Sequence, residues 1–230
     1  MTEDHLGSRR SFLASLGTAG AVVAFGGGAL GTRPTIADAD ELGLDSSRAW
    51  DLRWLERVRQ ARHRAVFDAT GRGNVLDLAT RYLDGVSAAF PDQGNTACAV
   101  LNLRTRAVSM GLNDAMWAKY PLAEDYKVDD PDTGKLTRRN VDLRLGTKPP
   151  DNNTISPNTI EVVQARGAVV IVCDFAMGHL ASRLATAVGS DAATVHADLA
   201  ANLVAGAFLV PSGIFGMAEA QNAGCAFVSA

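Results

Sequence analysis

Two rhythms of apolar residues alternate along the chain. Residues 168–173, Ala-Val-Val-Ile-Val-Cys, are an unbroken apolar run set between Gly167 and Asp174. A strand with no polar alternation is one buried on both faces, as at the centre of a parallel sheet. Beyond it Leu180, Leu184 and Ala187 recur at helical spacing until Gly189, the residue type that closes helices. The same exchange of periods continues on both sides. Trp50, Trp54, Leu55, Val58 and Ala61 mark a helix over 48–61, capped by Ser46 or Ser47. Strands are expected at 63–68, 96–103, 207–211 and 225–229, and helices at 75–90, 110–120, 157–166, 191–203 and 212–223. This order is that of a single-domain α/β protein: a doubly wound, flavodoxin-like parallel sheet of about five strands with flanking helices.

Two stretches stand outside that rhythm. Residues 121–157 lose periodicity, are rich in proline and turn at Asp130-Pro131-Asp132-Thr133-Gly134. An irregular segment of that length in a compact domain is a functional loop or an interface arm. The N-terminus carries Ser8-Arg9-Arg10-Ser11-Phe12-Leu13, an uncharged glycine-bearing stretch over 13–30, and Ala37-Asp38-Ala39. This is the pattern of a twin-arginine (Tat) export signal with cleavage after Ala39. Residues 1–39 are therefore read as the signal, 40–230 as the folded domain, and the localisation as periplasmic or otherwise extracytoplasmic. An uncleaved anchor is the alternative, and contact with the membrane is expected only through this segment.

The 230 residues are 47% hydrophobic and carry a formal net charge of −3. That is core enough for one domain and leaves no basic footprint for nucleic acid. Three cysteines make no disulfide framework. His63, His179 and His196 have no ligand-spaced partner, so no metal site is expected. The Gly71-x-Gly73 pair lacks the third glycine of a dinucleotide fingerprint and there is no P-loop, so no cofactor is expected either.

Ligands of open α/β sheets collect at the carboxyl ends of the strands. The residues placed there are Asp68, Arg104, Cys173, Asp174 and Ser212. Cys173 lies where the central strand passes into its helix, and a helix N-terminus favours a thiolate. The competing reading is a small buried hydrophobe. Asp174 sets a carboxylate beside the sulfur, against the helix terminus, and Arg104 is the cation available from the neighbouring strand. Asp68 and Ser212 are ligand candidates that also suit a turn and a helix N-cap, since Ser212 lacks the G-x-S-x-G elbow of a nucleophile. Cys98 belongs to strand packing. Cys225 falls at the opposite end of a parallel sheet from Cys173, roughly 17 to 20 Å away, so no bond between them is expected.

The segments His63-Arg64-Ala65-Val66-Phe67-Asp68, Asn113-Asp114-Ala115-Met116-Trp117-Ala118-Lys119-Tyr120, Asp130-Pro131-Asp132-Thr133-Gly134 and Leu209-Val210-Pro211-Ser212-Gly213-Ile214-Phe215 with Ala220-Gln221-Asn222-Ala223-Gly224 resemble exported, Tat-signal-bearing members of the DsrE/DsrF-like superfamily. The resemblance implies the same doubly wound fold, homo- or hetero-oligomers, and a cysteine that carries sulfur as a persulfide, here Cys173. Two functions follow as expectations. One is an exported sulfur carrier or sulfurtransferase-like protein using Cys173. The other is a non-catalytic module that binds a ligand or a periplasmic protein through the strand-end crevice and the 121–157 loop.

Overall fold

Strands form where the apolar runs lie, and all of them point the same way. The computed structural model describes residues 49–93, 96–144 and 158–230. Within them β1 (His63–Ala69), β2 (Ala97–Leu103), β3 (Val169–Cys173), β4 (Ala207–Val210) and β5 (Ala226–Ser229) build one sheet in the order β4-β3-β2-β1-β5. Every neighbouring pair is parallel. β2 and β3 are buried along their full length, as an all-parallel interior requires. The protein is thus an α/β, doubly wound, flavodoxin-like fold.

The helices are α1 (Trp54–Gln60), α2 (Val75–Ala89), α3 (Asp114–Lys119), α4 (Leu122–Tyr126), α5 (Ile160–Ala165), α6 (Asp174–Val188), α7 (Ala192–Ala201) and α8 (Gly213–Asn222). Alternation along each strand sorts the side chains onto two faces. Phe67, Leu101, Leu103, Val170 and Val172 pack with Leu83 of α2 and with Met177, Leu180 and Leu184 of α6. Val66, Val100, Val169, Ile171 and Val210 pack instead with Trp54, Leu55 and Val58 of α1 and with Ala220 of α8. The chain leaves β3 through α6 onto the first face and leaves β4 through α8 onto the second. That divergence between adjacent strands is the topological switch point of the sheet, and it opens at the carboxyl ends of β3 and β4.

Element ends differ from the sequence expectation for local reasons. The first helix starts at Trp54 rather than at residue 48, after Asp51 has closed a fork onto the Arg53 guanidinium, with Nη2 to Oδ2 at 2.6 Å; Ser46 and Ser47 lie outside the described residues. The helix expected over 110–120 is divided. A 3-10 segment, Thr105–Gly111, lays Gly111 flat against β3, and α3 begins only after Asn113, whose side chain accepts the Met116 N–H at 3.2 Å. α5 is capped by the side chain of Thr159, while the expected start at Ser156 and Pro157 is outside the described residues. Gly189 ends α6 at φ +67°, the left-handed C-terminal position that glycine adopts without strain.

The described part of the 121–157 segment is more ordered than its lost periodicity suggested. It holds α4, a bridge between Asp129 and Leu136, and a fully buried Asn140. The Asn140 Nδ2 donates to the carbonyls of Met110 and Leu112, both at 2.7 Å. Arg72 pairs with Asp142 at 2.5 Å and lies 4.7 Å over the Trp117 ring. Side-chain bonds to distant backbone replace hydrophobic rhythm here. Its remainder, 145–157, lies outside the described residues.

The packing of Gly111 gives a direct test of how β3 is held. A Cβ there would sit 2.5 Å from Cγ2 and 3.3 Å from Cγ1 of Val172, a branched side chain with little freedom to move. Gly111→Ala is expected to lower unfolding free energy by about 1 to 3 kcal/mol, the usual cost of overpacking, as read by urea denaturation.

Candidate functional site

Cys173 closes β3 and begins α6, and the register sets Arg104 beside it. Leu103 of β2 is level with Val172 of β3, and Arg104 continues β2 in an extended conformation. The two side chains therefore stand on adjacent strands, which lie about 4.8 Å apart. The next residue, Thr105, holds φ +54°, a left-handed conformation that β-branched residues rarely adopt. Backbone N–H groups on either side fix it: Arg104 donates to the Ala69 carbonyl at 3.0 Å and Arg106 to that of Thr70 at 2.9 Å.

A buried polar knot lies beneath Arg104. Asp68 is 7% exposed and Asn102 fully buried, and the two stand level on β1 and β2. Arg104 binds Asp68 as a fork, Nε to Oδ1 and Nη2 to Oδ2, both at 2.7 Å. Asn102 Nδ2 donates to the same carboxylate at 3.1 Å and to the Gly213 carbonyl at 2.9 Å. Three elements, β1, β2 and the start of α8, are joined through Asn102, which donates to both the Asp68 carboxylate and the Gly213 carbonyl. Gly213 is required by this contact, because a Cβ would lie 2.7 Å from both Cβ and Cδ of Arg104. The Asp68 hydrogen bonds raise the guanidinium pKa above its ordinary value, and the Cys173 sulfur adds to the effect in the same direction.

The sulfur itself has a partner. Cys173 Sγ accepts the Ala176 N–H at 3.3 Å and so caps α6, satisfying one of the orphan donors at the helix start. The residue is 4% exposed and in no disulfide. Asp174 is turned to a different partner than Arg104, with Oδ1 lying 2.9 Å from Nε2 of His196 on α7. Ser212 is committed to capping α8, its Oγ accepting the Phe215 N–H at 3.1 Å. At the lips of the switch point Phe175 and Ile214 remain exposed by 44% and 58%.

Of the five residues expected at the strand ends, the structure brings Asp68, Arg104 and Cys173 together, directs Asp174 toward α7, and uses Ser212 as a cap. Asn102 was not singled out from sequence, although a polar residue in an otherwise apolar strand run was a visible signal. The bond between His196 and Asp174 had no such signal, since it joins two helices. Cys98 and Cys225 lie at the amino end of the sheet, six residues before Arg104 in the case of Cys98, or about 20 Å along the strand. All three cysteines are free. Among the described residues there is no group of three or more His, Cys, Asp or Glu side chains able to hold a metal, and no helix long and apolar enough to cross a membrane.

No family model and no curated protein matches this chain. Among solved structures, the protein of unknown function MTH1491 from Methanobacterium thermoautotrophicum is similar at 14% identity. The match covers 73% of this chain and 99% of that one, at a TM-score of 0.34.

Cys98 and Cys225 are buried thiols at the amino end of the sheet. Burial pushes Cys98 from 9.0 up to about 11. Burial, with Cys98 adding to it, pushes Cys225 up to about 12. A thiol whose pKa rises on folding holds its proton more tightly in the native state. Its contribution is therefore complete below pH 9 and is lost as pH climbs toward 11 to 12. Urea denaturation between pH 8 and 10.5 is expected to show a shallower alkaline loss of stability in the Cys98→Ala/Cys225→Ala double variant than in wild type. Equal slopes would contradict this assignment.

Proposed function

We propose that the chain is an exported, DsrE/DsrF-like sulfur carrier that holds sulfane sulfur on Cys173 as a persulfide. The observation that carries the reading is the position of the sulfur: at the switch point, on the N-terminus of α6 and beside Arg104. A helix N-terminus and a neighbouring arginine are the surroundings in which reactive cysteines are found. In the loading step the Cys173 thiolate attacks the outer sulfur of a donor persulfide. The new S–S bond forms as the donor's S–S bond breaks, and the departing donor thiolate takes the electron pair. The proton released when Cys173 ionises goes to solvent.

Export rests on the twin-arginine pattern of residues 8–13 and the cleavage pattern ending at Ala39, both outside the described residues. A homo-oligomer and a periplasmic protein partner belong to the same proposal and draw on the family resemblance.

A second reading has its own support. Cys173 is nearly buried, while exposed Phe175 and Ile214 line the switch point, as in a non-catalytic module that binds a small ligand or a protein. The two separate by intact mass. After exposure to a sulfane-sulfur donor, the carrier reading expects a reducible gain of one sulfur atom in wild type and none in Cys173→Ser. No gain, or the same gain in both, leaves the binding module.

A further inference from the structure

We infer that the mouth of the switch point is a subsite for a small oxyanion group, recognised by the outer edge of Arg104. The proposal shares its crevice with the carrier reading and depends on no chemistry at Cys173.

An arginine has five N–H donors. Arg104 directs two of them, Nε–H and one from Nη2, inward to Asp68. The other three have no partner among the described residues, and the side chain is 27% exposed, so this edge faces outward. A free arginine on a surface would wander among rotamers. This one is fixed at both ends: its carboxylate partner is held from below by buried Asn102, and its aliphatic stem lies against Gly213. The guanidinium therefore presents a rigid, planar edge of donors, the geometry that receives a carboxylate or a tetrahedral oxyanion by two parallel hydrogen bonds.

The start of α8 brings further donors to the carboxyl end of the sheet. Of its first N–H groups, that of Phe215 is taken by Ser212 Oγ and that of Gly216 by the Ser212 carbonyl. Those of Gly213 and Ile214 have no partner among the described residues. A Cβ on Gly213 would meet Cβ, Cγ and Cδ of Arg104, so the first turn of α8 lies against the stem that carries the guanidinium. Asp68 is matched by Arg104, and Asp174 is turned to His196 on α7. The exposed side chains of Phe175 and Ile214 flank the subsite, which suits an anionic group carried on a small apolar body.

The test is titration of the protein with sodium sulfate, and separately with sodium acetate, at ionic strength held constant with chloride. The readout is the 1H–15N resonances of the Arg104 guanidinium and of the Gly213 and Ile214 amides. Saturable shifts confined to these groups are expected in wild type. Arg104→Lys keeps a cation for buried Asp68 while losing the planar edge, and is expected to bind at least tenfold more weakly. Absence of saturation in wild type, or equal affinity in Arg104→Lys, overturns the proposal. If Arg104→Lys does not fold, the wild-type titration decides alone. Sulfur loading without anion binding would sink this inference and leave the carrier reading standing, and the reverse result would do the opposite.

Discussion

A single buried carboxylate organises the functional end of this molecule. Asp68 lies in the interior at the carboxyl end of β1, where an unpaired charge would be prohibitive. It is accommodated because Arg104 meets it as a fork and Asn102 bonds it from beneath. Each partner then does something further: Asn102 holds the first turn of α8 through the Gly213 carbonyl, and Arg104 stands next to Cys173. Removing Arg104 would strand a buried charge on Asp68, so the pair and the packing of Gly213 on the Arg104 stem hold the side chain in one place. The geometry around the sulfur is thus inherited from a charge-burial problem on a different strand.

The rest of the site follows from topology. α6 and α8 leave neighbouring strands in opposite directions, so two helix N-termini converge where the sheet offers no cover. One terminus is capped by a sulfur and the other by a hydroxyl. Cys173 and Ser212 are therefore equivalent in the fold and different in chemistry, since the cysteine alone supplies an atom that can both cap a helix and accept sulfur. The 3-10 turn at Thr105 completes the arrangement by turning the chain sharply just after Arg104.

Much of this was legible in the sequence because parallel sheets announce themselves. The run at 168–173 has no polar residue, and that alone identified a central strand and placed Cys173 at its end. The grouping of Asp68, Arg104 and Cys173 followed from counting strand ends. What escaped was whatever depends on long-range polar contacts. Asn102 interrupts the apolar pattern of β2 by one residue, and periodicity treats it as noise. The division of 110–120 into a 3-10 turn and α3 depends on Gly111 meeting Val172, and the order in 121–144 depends on Asn140 reaching the Met110 and Leu112 carbonyls. Ser212 and Asp174 were placed at the correct end of the sheet, but a cap and a helix-to-helix bond take up their polar atoms.

The central claim is that Cys173 is chemically distinct from the two thiols at the amino end of the sheet. It is tested most directly by brief treatment of the native protein with iodoacetamide at pH 8, followed by peptide mass mapping. Modification at Cys173 is expected, while Cys98 and Cys225 stay unmodified until the protein is unfolded. Modification of Cys98 or Cys225 first, or of none of the three in the native state, would contradict it.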